Sequence, residues 1–236
     1  PGRNLDVLIK YRNDKRYLSV GNMLDKENKA IYGLEFSYET IPNELNLFDY
    51  DAFKAYKGDF YCVVTNLLTC EAEYMKYTGE DRTNTVLKAT CALPMLFPPI
   101  IINDTPYMDG GLTDSIPFMR ALEDGCDRVL VVLTREAGYT KTTSTSTKAI
   151  ARYYEKEYPK LSEVMLSRAE RYNECLKQLK EYEDSGKVMV IRPAVSKGFS
   201  RLEKDKNKIL SMYNDGYNQG YTLTGDIKKF FNYSNS

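Results

Sequence analysis

The sequence predicts an α/β fold with a parallel component in its sheet, and three observations carry that reading. Arg128–Thr134 (RVLVVLT) holds a continuous apolar run, the pattern of a strand buried on both faces. Val188–Ile191 (VMVI) is a second, shorter run of the same kind. Between them Leu161, Met165, Ala169, Tyr172, Leu176 and Leu179 recur at spacings of three and four, which makes one long amphipathic helix. Strand, helix, strand in that order is the α/β arrangement.

Earlier in the chain, residues 4–56 read as short helices between loops. Leu5, Leu8 and Tyr11 form one helical stripe, and Tyr50, Phe53 and Tyr56 another. Asp59–Asn66 (DFYCVVTN) is rich in β-branched and aromatic residues, and Asn66–Thr69 turns it into an antiparallel partner at Cys70–Tyr77. Thr85–Ala92 is predicted helical with Thr83 or Asn84 as its cap. Ile100–Ile102 and Pro106–Met108 flank Asn103-Asp104-Thr105 as a small hairpin. Pro117 suits the first turn of a helix through Phe118 and Leu122, and Gly125 its stop. Thr140–Thr147, seven of whose eight residues are Thr or Ser, is predicted to be a mobile loop. The long helix starts near Pro159 and stops at Gly186. From Asp205 a closing helix carries Tyr213, Tyr217 and Tyr221, expected as half-buried core, and is interrupted by Gly216, Gly220 and Gly225.

Composition removes whole classes of function. The chain has 236 residues, with 33 Lys and Arg balancing 33 Asp and Glu, so the basic excess of a nucleic-acid binder is missing. It contains no histidine, which excludes a Ser-His-Asp triad, a Cys-His pair and histidine metal sites from its own residues. Its five cysteines, Cys62, Cys70, Cys91, Cys126 and Cys175, are an odd number without a close pair. Buried reduced thiols in a reducing compartment are expected of them; a Cys62–Cys70 bridge across a hairpin is the alternative. The carboxylates do not cluster as a metal cage, and no metal or organic cofactor is expected. The Lys204, Lys206, Lys208 stretch is interleaved with Glu203 and Asp205 and reads as a solvated helix start.

The usual nucleotide and zinc-protease motifs are missing, and so is GxSxG; the nearest segment is Gly198-Phe199-Ser200-Arg201-Leu202. Ser19, Ser37, Ser115 and Ser200 are therefore poor nucleophile candidates. What remains is Tyr107-Met108-Asp109-Gly110-Gly111, which taken alone is a tight turn with a solvated carboxylate. Its surroundings say more. Ala89-Thr90-Cys91-Ala92-Leu93-Pro94, Phe97-Pro98-Pro99, the Asp-Gly-Gly and Asp114-Ser115-Ile116-Pro117 follow one another, then a helix and an apolar strand. That succession is similar to the patatin-like phospholipase family. Arg16-Tyr17-Leu18-Ser19, Ile41-Pro42-Asn43, Phe48-Asp49-Tyr50, Arg171-Tyr172-Asn173 and Val190-Ile191-Arg192-Pro193 resemble a bacterial subgroup of it. Ser115 departs from the Asn of many members, which puts one supporting hydrogen bond in question.

The resemblance implies a three-layer α/β/α sandwich with a mostly parallel central sheet, residues 1–236 forming a single domain that lacks its N-terminal unit. It also implies a serine acyl hydrolase working through a Ser-Asp dyad on lipid or other acyl esters. Asp109 would be the general base, and Gly110 and Gly111 would let the backbone turn beside the nucleophile. The nucleophilic serine and the oxyanion hole would lie upstream of Pro1, in a segment of roughly 30 or more residues. The chain alone is then expected to be inactive. A cytoplasmic setting with peripheral membrane contact goes with this reading, and the Ala92–Ile102 segment is either an acyl-chain contact or a proline-rich core loop. The alternative is a non-catalytic lipid-binding or interaction module of the same fold.

Overall fold

The computed structural model describes residues 3–196, 198–200 and 202–232. Helix α1 (Arg3–Tyr11) follows the predicted stripe, and the Tyr11 ring meets Phe36 edge-on at 5.5 Å. After α2 (Gly21–Leu24) comes a π-helix, Phe36–Leu45, with Pro42 inside it. A proline cannot donate its own i→i−4 bond, and the wider turn accommodates that gap. Helix α3 (Tyr50–Ala55) is capped by Asp49, whose carboxylate accepts the Ala52 N–H at 2.9 Å.

Strands β1 (Tyr61–Asn66) and β2 (Ala72–Lys76) pair antiparallel as predicted, with Val63 opposite Tyr74. Helix α4 (Thr85–Thr90) follows, then β3 (Ile100–Ile102) and β4 (Thr105–Asp109). Asn103 and Asp104 turn this hairpin at φ +48° and +62°, the left-handed pair that a two-residue loop requires. Strand β4 also pairs antiparallel with β1, giving the order β2-β1-β4-β3.

A 3-10 turn, Gly110–Leu112, leads through α5 (Phe118–Glu123) to β5 (Val129–Val132). Helices α6 (Thr145–Tyr154) and α7 (Pro159–Asp184) precede β6 (Val188–Ile191), which lies parallel to β5 with Val131 opposite Val190. Helices α8 (Lys206–Thr222) and α9 (Thr224–Phe230) follow. Gly125 and Gly186, at φ +95° and +74°, stop α5 and α7 where the sequence put the stops.

Several expectations are corrected. Among the described residues the mostly parallel sheet is not found: the larger sheet is antiparallel, and only β5 and β6 run parallel. The short connections β1–β2 and β3–β4 explain this, because a few residues can join only antiparallel neighbours. Strand β5 is not buried on both faces, since Val132 is 68% exposed. The Thr/Ser run is a helix start rather than only a loop: the Ser144 hydroxyl accepts the Thr147 N–H at 3.1 Å and caps α6. Tyr217 and Tyr221 are exposed, and α8 passes through Gly216 and Gly220 without a break. Cys62 faces Met75, not Cys70; no disulfide joins any of the five cysteines, and only Cys62 and Cys70 are buried.

The chain divides into two compact units. One comprises Lys10–Ser115 and Thr142–Ala169 and holds the four-stranded sheet. Alternation along β4 feeds its two cores: Tyr107 packs with Val64, Ala89 and Phe97, whereas Met108 packs with Leu112, Leu161 and Met165. The other comprises Ile116–Lys141 and the described parts of Pro1–Ile9 and Glu170–Ser236. Its core joins Phe118, Val131, Leu179 and Val188.

Candidate active site

Asp109 is the last residue of β4 and sits opposite Val64 of β1. The same alternation puts its side chain on the face of Val64 and Tyr107, toward the end of α4. Its backbone is held from both sides. The Asp109 N–H donates to the Ala92 carbonyl at 3.0 Å, and its carbonyl accepts the Thr65 hydroxyl at 2.8 Å. Thr65 is fully buried and also pairs with the Thr113 hydroxyl at 2.9 Å. The carboxylate accepts the Gly111 N–H at 2.7 Å, which caps the 3-10 turn and fixes the carboxyl rotation.

The two glycines have separate reasons. Neither has a positive φ, so the requirement is space rather than a left-handed backbone. A Cβ on Gly110 would lie 2.2 Å from the Val63 carbonyl oxygen. A Cβ on Gly111 would lie 3.0 Å from Asp109 Oδ1 and 3.3 Å from Arg168 Nη2. Gly110 thus lets β1 and the turn approach, whereas Gly111 leaves room for two charged side chains.

Two more residues brace the turn through the Gly111 carbonyl. Ser115 donates its hydroxyl there at 2.8 Å, so the departure from Asn keeps a hydrogen bond to this turn. Arg168 of α7 donates its Nε to the same oxygen. Arg168 was missed in the sequence: 57 residues separate it from Gly111, and its only local sign is a polar position on an amphipathic helix.

Cys91, just past α4, keeps exposed surface. Protein packed around it pushes the thiol pKa up, the Tyr38 hydroxyl pulls it back, and the Asp109 carboxylate adds to the rise. The thiol is thus close enough to Asp109 to feel its charge. In the Ala92–Ile102 segment Ala92, Phe97 and Ile100 are core, while Met95 and Ile101 are 42% and 58% exposed.

The serine candidates are not brought to Asp109 on a strand-to-helix turn. Ser37 lies in the π-helix with its hydroxyl buried and unbonded, and Ser200 accepts the Leu202 N–H in a loop. Ser19 accepts the Gly21 N–H, and Ser115 is committed to Gly111. Among the described residues no three His, Cys, Asp or Glu side chains form a metal-binding group. No helix among them is long and apolar enough to cross a membrane.

Residues 158–232 match a family described as Domain of unknown function (DUF6363). No curated protein matches the chain. Residues 9–122, which carry the Asp-Gly-Gly turn and both strands that position it, match the family described as Patatin-like phospholipase. In that segment the chain is similar to the patatin-like phospholipases.

Proposed function

We propose that this chain is part of a serine acyl hydrolase that cleaves carboxylic esters of lipids, with Asp109 as the general base of a Ser-Asp dyad. The nucleophilic serine and the oxyanion donors are supplied by residues upstream of Pro1. In the first step the serine oxygen attacks the ester carbonyl while its proton passes to Asp109. The tetrahedral intermediate collapses as that proton goes to the departing alkoxide, which leaves as the alcohol. Water then attacks the acyl-serine, giving its proton to Asp109; that proton returns to the serine as the fatty acid departs.

The observation that carries this reading is the bracing of Asp109. Its backbone is tied to Ala92 and Thr65, and its carboxyl group to Gly111, on a turn whose glycine admits no side chain. In water a carboxylate is a weak base for an alcohol. Close contact with the hydroxyl and preorganised oxyanion donors supply the difference, on the order of several kcal/mol. A cytoplasmic enzyme that meets lipid at a membrane surface is the setting proposed with this chemistry. An odd number of cysteines without a close pair supports the reducing compartment.

The test is Asp109→Asn in the complete protein, assayed on a nitrophenyl acyl ester and on phospholipid vesicles. The amide keeps an acceptor for Gly111, so the melting temperature stays near wild type while turnover falls by about 10²–10⁴-fold. Turnover at the wild-type rate would remove Asp109 from the mechanism.

A further inference from the structure

The unit that holds β5 and β6 contains a cavity of about 640 Å³ whose lining residues come from the end of β5, the loop after it, α7 and the end of β6. That volume is within the range of small-molecule sites, roughly 300–1,000 Å³. The loop wall is fixed by a two-way amide clasp: the Lys141 N–H donates to Asn173 Oδ1 at 2.8 Å, and Asn173 Nδ2 donates to the Lys141 carbonyl at 2.9 Å. The Tyr139 ring then meets Tyr172 edge-on at 6.1 Å. At the end of β6 the Arg192 carbonyl is held by Gln219 of α8 at 2.7 Å. These contacts hold the cavity walls in place.

Its chemistry divides in two. Leu133, Tyr139, Tyr172 and Leu176 provide an apolar wall. Four cations, Arg135, Lys177, Lys180 and Arg192, share the lining with two carboxylates, Glu136 and Glu181. Glu136 is already engaged by the N–H and hydroxyl of Ser196. Lys177, Lys180 and Arg192 pair with Glu174, Asp184 and Glu183. Arg135 differs from these three. Its hydrogen bond goes to the neutral Ser196 hydroxyl at 3.4 Å, and its guanidinium lies 4.9 Å from the Tyr139 ring centre. Glu136, whose carboxyl pKa Arg135 helps to lower, is occupied by Ser196, so the arginine faces the cavity with a hydroxyl contact and no direct ion pair among the described residues. Beside an apolar wall that suits an anionic head attached to an apolar chain.

We infer that this cavity binds a single-chain amphiphile with an anionic head, the chain against Tyr172 and Leu176 and the head on Arg135. A free fatty carboxylate and a single-chain lipid phosphate share that chemistry. The site does not depend on ester hydrolysis, so its test is a binding measurement on the full chain.

Dodecanoate, dodecyl phosphate and dodecanol are titrated calorimetrically below their aggregation concentrations. Saturable one-to-one binding of at least one anion is expected, with dodecanol at least about tenfold weaker. Preference between the two anions identifies the head, carboxylate or phosphate. Arg135→Gln weakens anion binding about tenfold and leaves dodecanol unchanged, since one charge-assisted contact is lost. Thr140→Trp, which fills the cavity from an exposed position and leaves the core intact, weakens all three. The inference is overturned by absence of saturable binding, by dodecanol binding as tightly as the anions, or by either Arg135→Gln or Thr140→Trp binding the anions like wild type.

Discussion

The Thr65 hydroxyl donates to the Asp109 carbonyl across 2.8 Å, from a side chain with no exposed surface. The two residues are adjacent in register, Thr65 facing Met108 and Val64 facing Asp109, so the bond is a side-chain supplement at the point where the β1–β4 ladder ends. It fixes the backbone from which the carboxylate projects.

Replacing Thr65 by Val keeps the shape and deletes the hydroxyl. The Asp109 carbonyl and the Thr113 hydroxyl then each lose a partner, at a cost of about 1–3 kcal/mol. For a chain of this size that lowers the melting temperature by roughly 2–4 °C per kcal/mol. Thr65→Ser restores the donor and recovers most of the loss. A Thr65→Val protein that melts with wild type would show that the bond contributes nothing.

The two glycines after Asp109 should separate in mutagenesis. Gly110→Ala drives a methyl into the Val63 carbonyl, a backbone atom that cannot move without shifting β1. The expected destabilisation is about 1–3 kcal/mol. Gly111→Ala meets mainly side-chain atoms, Asp109 Oδ1 and Arg168 Nη2, which can rotate away. It should cost less stability and reorient the carboxylate instead. Chemical denaturation of both variants checks the order, and Gly111→Ala as the less stable of the two would reverse the assignment.

Local features were legible because their causes are local. Asn103-Asp104 turns the hairpin, Gly186 ends α7, and Asp109-Gly110-Gly111 follows a strand, each within a few residues of its signal. The π-helix over Phe36–Leu45 was not legible, because Pro42 in a sequence reads as a stop while the wider turn absorbs it. The Ser144 cap was hidden within a Thr/Ser run that looks like loop at every position. Strand direction in the larger sheet was read from a resemblance, while the pairing of β1 with β4 depends on residues 44 apart, such as Thr65 and Asp109. Arg168 reaches Gly111 from still farther along the chain, where no motif marks it.

The cap of α4 gives a prediction in pH. The sequence offered Thr83 or Asn84, but Asn84 is left-handed at φ +54° and makes no side-chain cap bond. Its amide instead donates to the Tyr38 carbonyl at 2.6 Å and accepts from the Tyr77 hydroxyl. Asp81 takes the capping role: one carboxylate oxygen accepts the Thr83 N–H at 2.9 Å, and the other accepts the Thr85 N–H at 2.7 Å. Burial pushes the Asp81 carboxyl up, but the hydrogen bonds from Thr83 and Thr85 outweigh it and bring it down to about 2. A folded value below the ordinary one of about 3.9 means that the ionised form is preferred in the fold. The stabilisation is then complete above about pH 4 and is lost as pH falls toward 2. Asp81→Asn should therefore melt below wild type at pH 7, and the gap should narrow steadily between pH 4 and 2. Thermal melts of both proteins across that range test it. A gap that stays constant from pH 7 to 2 would mean that the Asp81 charge does not hold the helix.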